Sequence, residues 1–234
     1  MRRVAGATSR ARKRTAEPAR ASIARAEVAV RGPKGRAHEA KKQAYQRLAL
    51  AAGERVFARR GYDGAKMQDV ATETGVALAT LYGAYPSKEA LYDAIHRLRG
   101  RALLERAASA ASGASRAWEA VLAGVEAYVD FLAEHTDYLR IHLHESQPWA
   151  LDPRFVCAEQ KRQWRQGLEL TVSTFRQAMN DGDVREGDAE LFARLMIASH
   201  QVFLVAWVEG GMKEPKATLV ARIREHMTRA FRAT

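Results

Sequence analysis

Residues 67–82 read Met67-Gln68-Asp69-Val70-Ala71-Thr72-Glu73-Thr74-Gly75-Val76-Ala77-Leu78-Ala79-Thr80-Leu81-Tyr82, and this stretch decides the fold. The spacing of Met67, Val70 and Ala71 predicts a short amphipathic helix over 66–74. Gly75 ends it, because a tight turn needs a residue that tolerates positive φ. Val76 follows, and a second short helix is expected over 77–82. Helix, glycine turn and helix together read as a helix-turn-helix. Val76 and Leu81 would pin the second helix to the first, which leaves its outer face free for a DNA major groove.

Working outward, Ala49, Ala52, Gly53, Val56 and Phe57 fall on one face of a helix that begins near Lys41 and stops at Gly61. Downstream, Pro86-Ser87 breaks the chain, and Ser87 is a natural N-cap for a fourth helix over 87–107 with Leu91, Ile95, Leu98 and Ala102 on one face. Further helices are expected over 116–134, 138–145, 155–180, 189–209 and 216–232. They are separated by polar, glycine or proline breaks at 135–137, 148–153, 181–183 and 210–215. No period-2 alternation and no internal repeat is found, so the fold class is all-α. The chain divides into an N-terminal arm (1–38), a three-helix DNA-binding domain (39–86), a linking helix (87–107) and a helical effector-binding and dimerisation domain (108–234).

Charge is unevenly placed. The chain carries +11 overall, yet residues 1–42 hold 13 basic and 3 acidic residues, and the remainder 25 and 24. A strongly basic arm beside a near-neutral body points to a polyanionic partner, nucleic acid or an anionic surface. The arm lacks large apolar anchors and reads as disordered; an inert tail and a DNA-contacting arm are both open. Hydrophobic residues reach 47%, which excludes a wholly disordered chain. The single cysteine, Cys157, cannot form an internal disulfide and reads as a small core residue. The longest uninterrupted apolar run, 202–208, is far short of the ~18–20 residues a membrane span needs, and the basic start lacks the apolar segment of a secretion signal. A cytoplasmic protein without a membrane partner is expected.

The stretches Val56-Phe57-Ala58-Arg59-Arg60-Gly61-Tyr62, Met67-Gln68-Asp69-Val70-Ala71, Gly75-Val76, Thr80-Leu81-Tyr82 and Tyr85-Pro86-Ser87-Lys88-Glu89-Ala90-Leu91, with their spacing intact, resemble the N-terminal domain of TetR-family transcriptional regulators. The resemblance covers about fifty residues. It implies that Thr80 and Tyr82 touch DNA phosphates from the recognition helix. It further implies that Lys88 reaches a phosphate with its ammonium and with backbone N–H groups, and that Leu81 and Tyr85 are core. Ala65 and Ala77 depart from the family pattern, where Thr and Ser often open the two helices; each departure removes a capping hydroxyl. The outward positions Ala77, Leu78, Ala79, Gly83 and Ala84 offer few hydrogen-bonding groups, so base reading would lean on thymine methyls, Thr80 and DNA shape, with Lys66 and Gln68 as substitute polar contacts. Double-stranded operator DNA is the expected partner, and repression is the family default.

Residues 189–209 carry two apolar seams. Leu191, Leu195, Ala198, Val202 and Val205 form one, and Phe192, Met196, Ser199, Phe203 and Ala206 the other. A helix apolar on two sides packs against two neighbours, its own core and the same helix of a second copy. With Ile223 and Met227 of the last helix, Leu191, Leu195, Val202 and Val205 are the expected homodimer interface. Trp118, Tyr128, His142, Trp164, Phe175, His200 and Phe203 are the candidate lining of a pocket for a small organic effector, set against the alternative that they are simply core. No His/Cys/carboxylate set has metal-ligand spacing, and no metal or cofactor is expected. No phosphate loop, Gly-x-Ser-x-Gly or His-Glu-x-x-His occurs, which argues against an enzyme. A helical enzyme without short motifs, or a membrane-surface protein using the basic arm, are the competing classes.

Overall fold

The computed structural model describes residues 33–144 and 156–233. The basic arm through residue 32, and the proline break at 148–153, lie outside the described residues. The described residues form nine helices: α1 (Pro33–Gly64), α2 (Met67–Thr74), α3 (Leu78–Ala84), α4 (Lys88–Ser112), α5 (Ala117–Glu134), α6 (Thr136–His144), α7 (Ala158–Asn180), α8 (Ala189–Glu209) and α9 (Lys216–Phe231). No strand occurs among them; a single bridge joins Val184 to Arg232. The chain divides into two compact units, 1–46 and 47–234. The described part of the first is the opening of α1, where the Lys41 ammonium lies 5.7 Å from the centre of the Tyr45 ring. The helical path thus starts at Pro33 rather than near Lys41. Proline suits a first turn, where its missing N–H costs nothing.

In the second unit the helix-turn-helix has its own core. Ala49, Ala52, Val56 and Phe57 of α1 are buried with Met67, Val70, Ala71, Leu81, Leu91, Tyr92 and Ile95. Gly53 lets α1 and α4 approach closely: a Cβ there would sit 2.9 Å from Leu91 Cδ2. Gly61, at φ 67° and ψ 176°, breaks the helical path of α1 one turn before its end. Gly75, at φ 69° and ψ 15°, makes the left-handed turn between α2 and α3. Truncating Leu81, 1% exposed, would cost ~2–5 kcal/mol and free α3 from α2.

α4 continues to Ser112, well beyond the expected end near Ala107. Its inward face is Leu91, Tyr92, Ile95, His96, Gly100 and Leu103, whereas Leu98, expected on that face, is exposed. The reason is geometric. A long helix embedded among several neighbours buries a broad band, and the Tyr92–His96–Leu103 side of α4 is the one covered. Against α4 pack α5 and α7, and α7 also packs on α5 and α8. Trp118, Phe175, Phe192 and Phe231 fill one end of this bundle; Phe175 lies 6.1 Å from Phe192 and 5.3 Å from Phe231. α9 is tied to α5 by Lys216–Asp130 at 2.8 Å and Arg224–Glu126 at 2.9 Å. Ile223 and Met227, expected at a dimer interface, are buried in the core of their own chain. They point inward because α9 has one apolar face only, and the bundle takes it. α8 is long and apolar enough, by length and composition, to cross a membrane. An uninterrupted apolar run is too strict a mark of such a helix, because a helix keeps that character around isolated polar residues such as Arg194 and His200. Its inner face is packed within the bundle.

Candidate functional site

The first candidate surface is the outside of α2 and α3. Lys66, Gln68, Ala77, Ala79, Tyr82 and Gly83 are exposed. Thr80 is half-buried, and Leu78, expected to face outward, is half-buried against the core. α3 has no side-chain cap, since Ala77 occupies the cap position. α2 is fixed from the other side: the Asp69 carboxylate accepts the Lys66 backbone N–H at 3.0 Å. Glu73 accepts from Arg55 at 2.8 Å and Arg59 at 2.6 Å, bonds that hold its carboxyl below the usual range. The basic side chains of α1 next to α2 are therefore paired within the chain. The exposed face of α3 presents a phenol, methyl groups and bare backbone.

Lys88 is placed differently from the expectation. Its ammonium donates to the backbone carbonyls of Tyr62 at 2.8 Å and Ala65 at 3.1 Å, and stands 4.3 Å from the centre of the Tyr62 ring. It staples the first turn of α4 to the residues that follow Gly61. Tyr62 in turn meets Tyr92 edge-on at 4.8 Å, and Tyr92 meets Phe57 at 4.9 Å. Ser87 caps α4 by accepting the Ala90 N–H at 3.0 Å. The sequence motif located Lys88 correctly, but nothing in a motif tells whether an ammonium faces outward or toward carbonyls.

The second candidate site is a cavity of about 160 Å³ bounded by α4, α5, α6, α7 and α8. Of the expected lining residues, Tyr128, His142, Trp164 and His200 border it. Trp118 and Phe175 do not; they belong to the aromatic core at the end of the bundle. Phe203 does not either; it lies 5.4 Å from the His226 ring and under the Arg222 guanidinium, on the side of α8 that faces α9. Sequence reasoning overlooked His96, Gln160, Gln163 and Thr171, which also border the cavity. Small residues make the space: Gly100, Ala107, Ala111, Ala120, Gly124 and Gly167. Gly100, Ala107 and Ala111 recur at helical spacing on α4, and Ala120 and Gly124 on α5.

Three imidazoles border this cavity. His96, His142 and His200 are each less than a tenth exposed. Burial in apolar surroundings disfavours the charged form and lowers their pKa values to about 3, about 4 and about 3 respectively. Tyr138 Oη lies 3.2 Å from His96 Nδ1, and Tyr128 Oη is hydrogen-bonded to His142 Nε2. Burial also pushes the phenols of Tyr128 and Tyr138 up. Neither ring nitrogen of His200 makes a hydrogen bond of normal geometry among the described residues, and the backbone carbonyl of Met196, one turn earlier, is the acceptor acting on the ring.

The third surface is the outer side of α8. Leu191, Leu195 and Val202 are exposed at 51%, 45% and 67%, and Val205 is half-exposed. These are the residues of the first apolar seam. The second seam is split by the bundle, with Phe192 and Met196 buried and Ala206 exposed.

Residues 49–95 match the family model described as bacterial regulatory proteins, tetR family. The match covers the helix-turn-helix core and the first turns of α4, and these residues are similar to the N-terminal part of that family. No curated protein matches it. Among solved structures it is similar to the ketosteroid transcriptional regulator KstR2 of Mycobacterium tuberculosis, at TM-score 0.67 and 19% identity over 83% of this chain and 96% of that one. It is also similar to FadR from Bacillus subtilis in complex with stearoyl-CoA, at 0.66 and 17% over 77% and 96%. AibR in complex with isovaleryl coenzyme A and operator DNA gives 0.67 and 19% over 79% and 98%. At these identities the likeness is one of fold. It covers about four fifths of this chain and nearly all of each of those.

Proposed function

We propose that this chain is a TetR-family regulator, a cytoplasmic homodimeric repressor that binds a near-palindromic operator and leaves it when a small molecule occupies the cavity of the C-terminal bundle. One observation carries this reading. α4 is a single helix of 25 residues, roughly 37 Å long, whose first turns are locked into the helix-turn-helix core and whose later turns form a wall of the cavity. Lys88, Leu91 and Tyr92 serve the first role, and His96, Gly100, Leu103 and Ala107 the second. A ligand that widens the cavity pushes on the same rod that orients α3. Release requires the ligand to favour the non-binding spacing, and a tenfold loss of operator affinity needs only ~1.4 kcal/mol of that preference.

Two copies present two recognition helices to successive major grooves, about 34–36 Å apart. The exposed seam of α8 supports the pairing, because a stripe of Leu191, Leu195 and Val202 is costly to leave in water. At the DNA, Tyr82 and Thr80, with Lys66 and Gln68 beside them, contact backbone and groove edges. Lys88 acts through the staple it makes, and the first-turn N–H groups of α4 that Ser87 does not cap are left to meet a phosphate. The basic arm adds salt-dependent affinity by neutralising phosphates. The FadR and AibR structures, which hold acyl-coenzyme A molecules, and the latter operator DNA as well, are consistent with this division of labour.

The test is selection of bound duplexes from a random pool, followed by sedimentation of the protein alone and on the selected site. A symmetric site bound by two copies is expected. Monomers on both species would overturn the dimer, and absence of any enriched sequence would overturn the operator. Changing Val202 to Asp and Leu195 to Glu together is expected to yield monomers that keep their helix content.

A further inference from the structure

Resting on the ligand-sensing reading above, we infer that the effector is an uncharged, compact, mainly hydrocarbon molecule bearing one hydroxyl or carbonyl group, with that group hydrogen-bonded to His200. The first ground is charge. Among the described residues that line the cavity there is no Lys, Arg, Asp or Glu; the lining is aliphatic and aromatic, with neutral polar groups from His, Tyr, Gln and Thr. A carboxylate, phosphate or ammonium placed there would lose its hydration without meeting an opposite charge, at a cost of several kcal/mol per ion. An uncharged guest meets no such barrier.

The second ground is an inventory of the polar groups. Thr171 donates its hydroxyl to the Gly167 carbonyl at 2.8 Å, and Thr174 donates to the Leu170 carbonyl at 2.9 Å. Tyr128 is engaged with His142, and Tyr138 with His96. The Gln163 amide donates to the His96 carbonyl at 2.7 Å and to the Glu159 carboxylate at 2.8 Å. Gln160 accepts the Val156 N–H at 2.9 Å. The Gln201 amide and His200 remain, and of these two His200 is the one whose polar atoms are both fully enclosed. It is 4% exposed, it borders the cavity, and neither of its ring nitrogens makes a hydrogen bond of normal geometry among the described residues. A neutral imidazole has one N–H donor and one lone-pair acceptor. A hydroxyl can satisfy either nitrogen, and a carbonyl can accept from the N–H. A pure hydrocarbon would leave both buried and unpaired.

The third ground is size. A cavity of ~150 Å³ is known to accept benzene, and the 160 Å³ found here is of that order. The small residues Ala107, Ala111, Ala120 and Gly124 leave a smooth wall against which a single ring fits. A coenzyme A moiety, with its phosphates, does not match this lining. Whatever acyl-coenzyme A binding occurs in other proteins of this fold does not carry over.

The experiment titrates the full chain by calorimetry with five probes of one shape and different heads: toluene, benzyl alcohol, acetophenone, benzoate and benzylammonium. Benzyl alcohol and acetophenone are expected to bind at least tenfold more tightly than benzoate and benzylammonium. In His200→Leu the alcohol should fall to the affinity of toluene, while His200→Gln, which keeps a donor and an acceptor, should restore much of the difference. Benzoate or benzylammonium binding as well as the alcohol would overturn the inference. So would an unchanged alcohol affinity in His200→Leu, or no uptake of any probe. Operator binding measured in parallel by fluorescence anisotropy is independent of all these outcomes. A neutral guest that binds through His200 without releasing DNA would sustain the inference and overturn only the coupling proposed above.

Discussion

The two ends of α4 sit in opposite kinds of interior. Around its first turns the packing is complete: Lys88 holds two carbonyls, Ser87 caps the helix, and Phe57, Tyr62 and Tyr92 interlock edge to face. Around its later turns there is a cavity, a ring of small side chains, and a histidine with unspent nitrogens. A cavity of 160 Å³ leaves the side chains that line it without packing partners on one side. On the reading proposed above, one end of the rod holds a shape and the other accepts a guest. Such a device needs both, because a signal from a deformable region is transmitted only through a part that moves as a unit.

The contrast can be broken hardest with acid. His96, His142 and His200 are held neutral on the cavity side, with pKa values near 3, 4 and 3 against the usual 6.5. Each is depressed by folding, so the unfolded chain binds more protons below pH 6.5. Stability is full above that value and is lost as pH falls toward 4, by up to ~1.4 kcal/mol per pH unit per group. Denaturant titrations at pH 7, 6 and 5 should show this loss, and His200→Leu should flatten the slope. A stability independent of pH over that range would contradict the buried, neutral state of all three.

Next in size is Lys88→Met, which strands the Tyr62 and Ala65 carbonyls and removes the ammonium from the Tyr62 ring. A loss of ~1–3 kcal/mol in urea unfolding is expected without any DNA present. A variant of normal stability but weak operator binding would instead return Lys88 to direct phosphate contact. Smaller, and of opposite sign, is Gly124→Ala. Its methyl would meet Ala107 O at 3.7 Å and Ala111 Cβ at 3.8 Å, ordinary contacts, while the helix gains ~1 kcal/mol of backbone preference. Melting should rise while the cavity narrows. The smallest expected effect is Tyr82→Phe on the exposed face of α3, with unchanged melting and operator affinity roughly three- to tenfold weaker, the worth of one hydrogen bond.

Much of the helix-turn-helix was legible because its signals are local. Gly75 needs positive φ, Ser87 caps, and Val56, Phe57, Val70 and Leu81 recur at helical spacing around one small core. The α8 seam of Leu191, Leu195 and Val202 was legible for the same reason, whereas Ile223 and Met227 were assigned outward although one apolar face can serve only one neighbour. The cavity was half legible. Tyr128, His142, Trp164 and His200 were found as polar aromatics in an apolar region, but Trp118, Phe175 and Phe203 have the same character and face elsewhere. Residue type does not reveal which side of a helix a neighbour will cover. His96 was missed because it sits on a helix read for its leucines, and the Lys88 staple because its acceptors are backbone atoms some two dozen residues away.

Gly100 constrains how this protein can change. The space where its side chain would grow is filled by the Gln163 amide, which joins α7 to the His96 carbonyl of α4. A side chain at residue 100 displaces that amide, which can swing aside as the far end of a flexible side chain but gives up its bond to the His96 carbonyl. Enlarging position 100 therefore loosens the tie between the two helices, and a shorter residue at 163 removes the clash. In deep mutational scanning, substitutions at 100 should be better tolerated in that background.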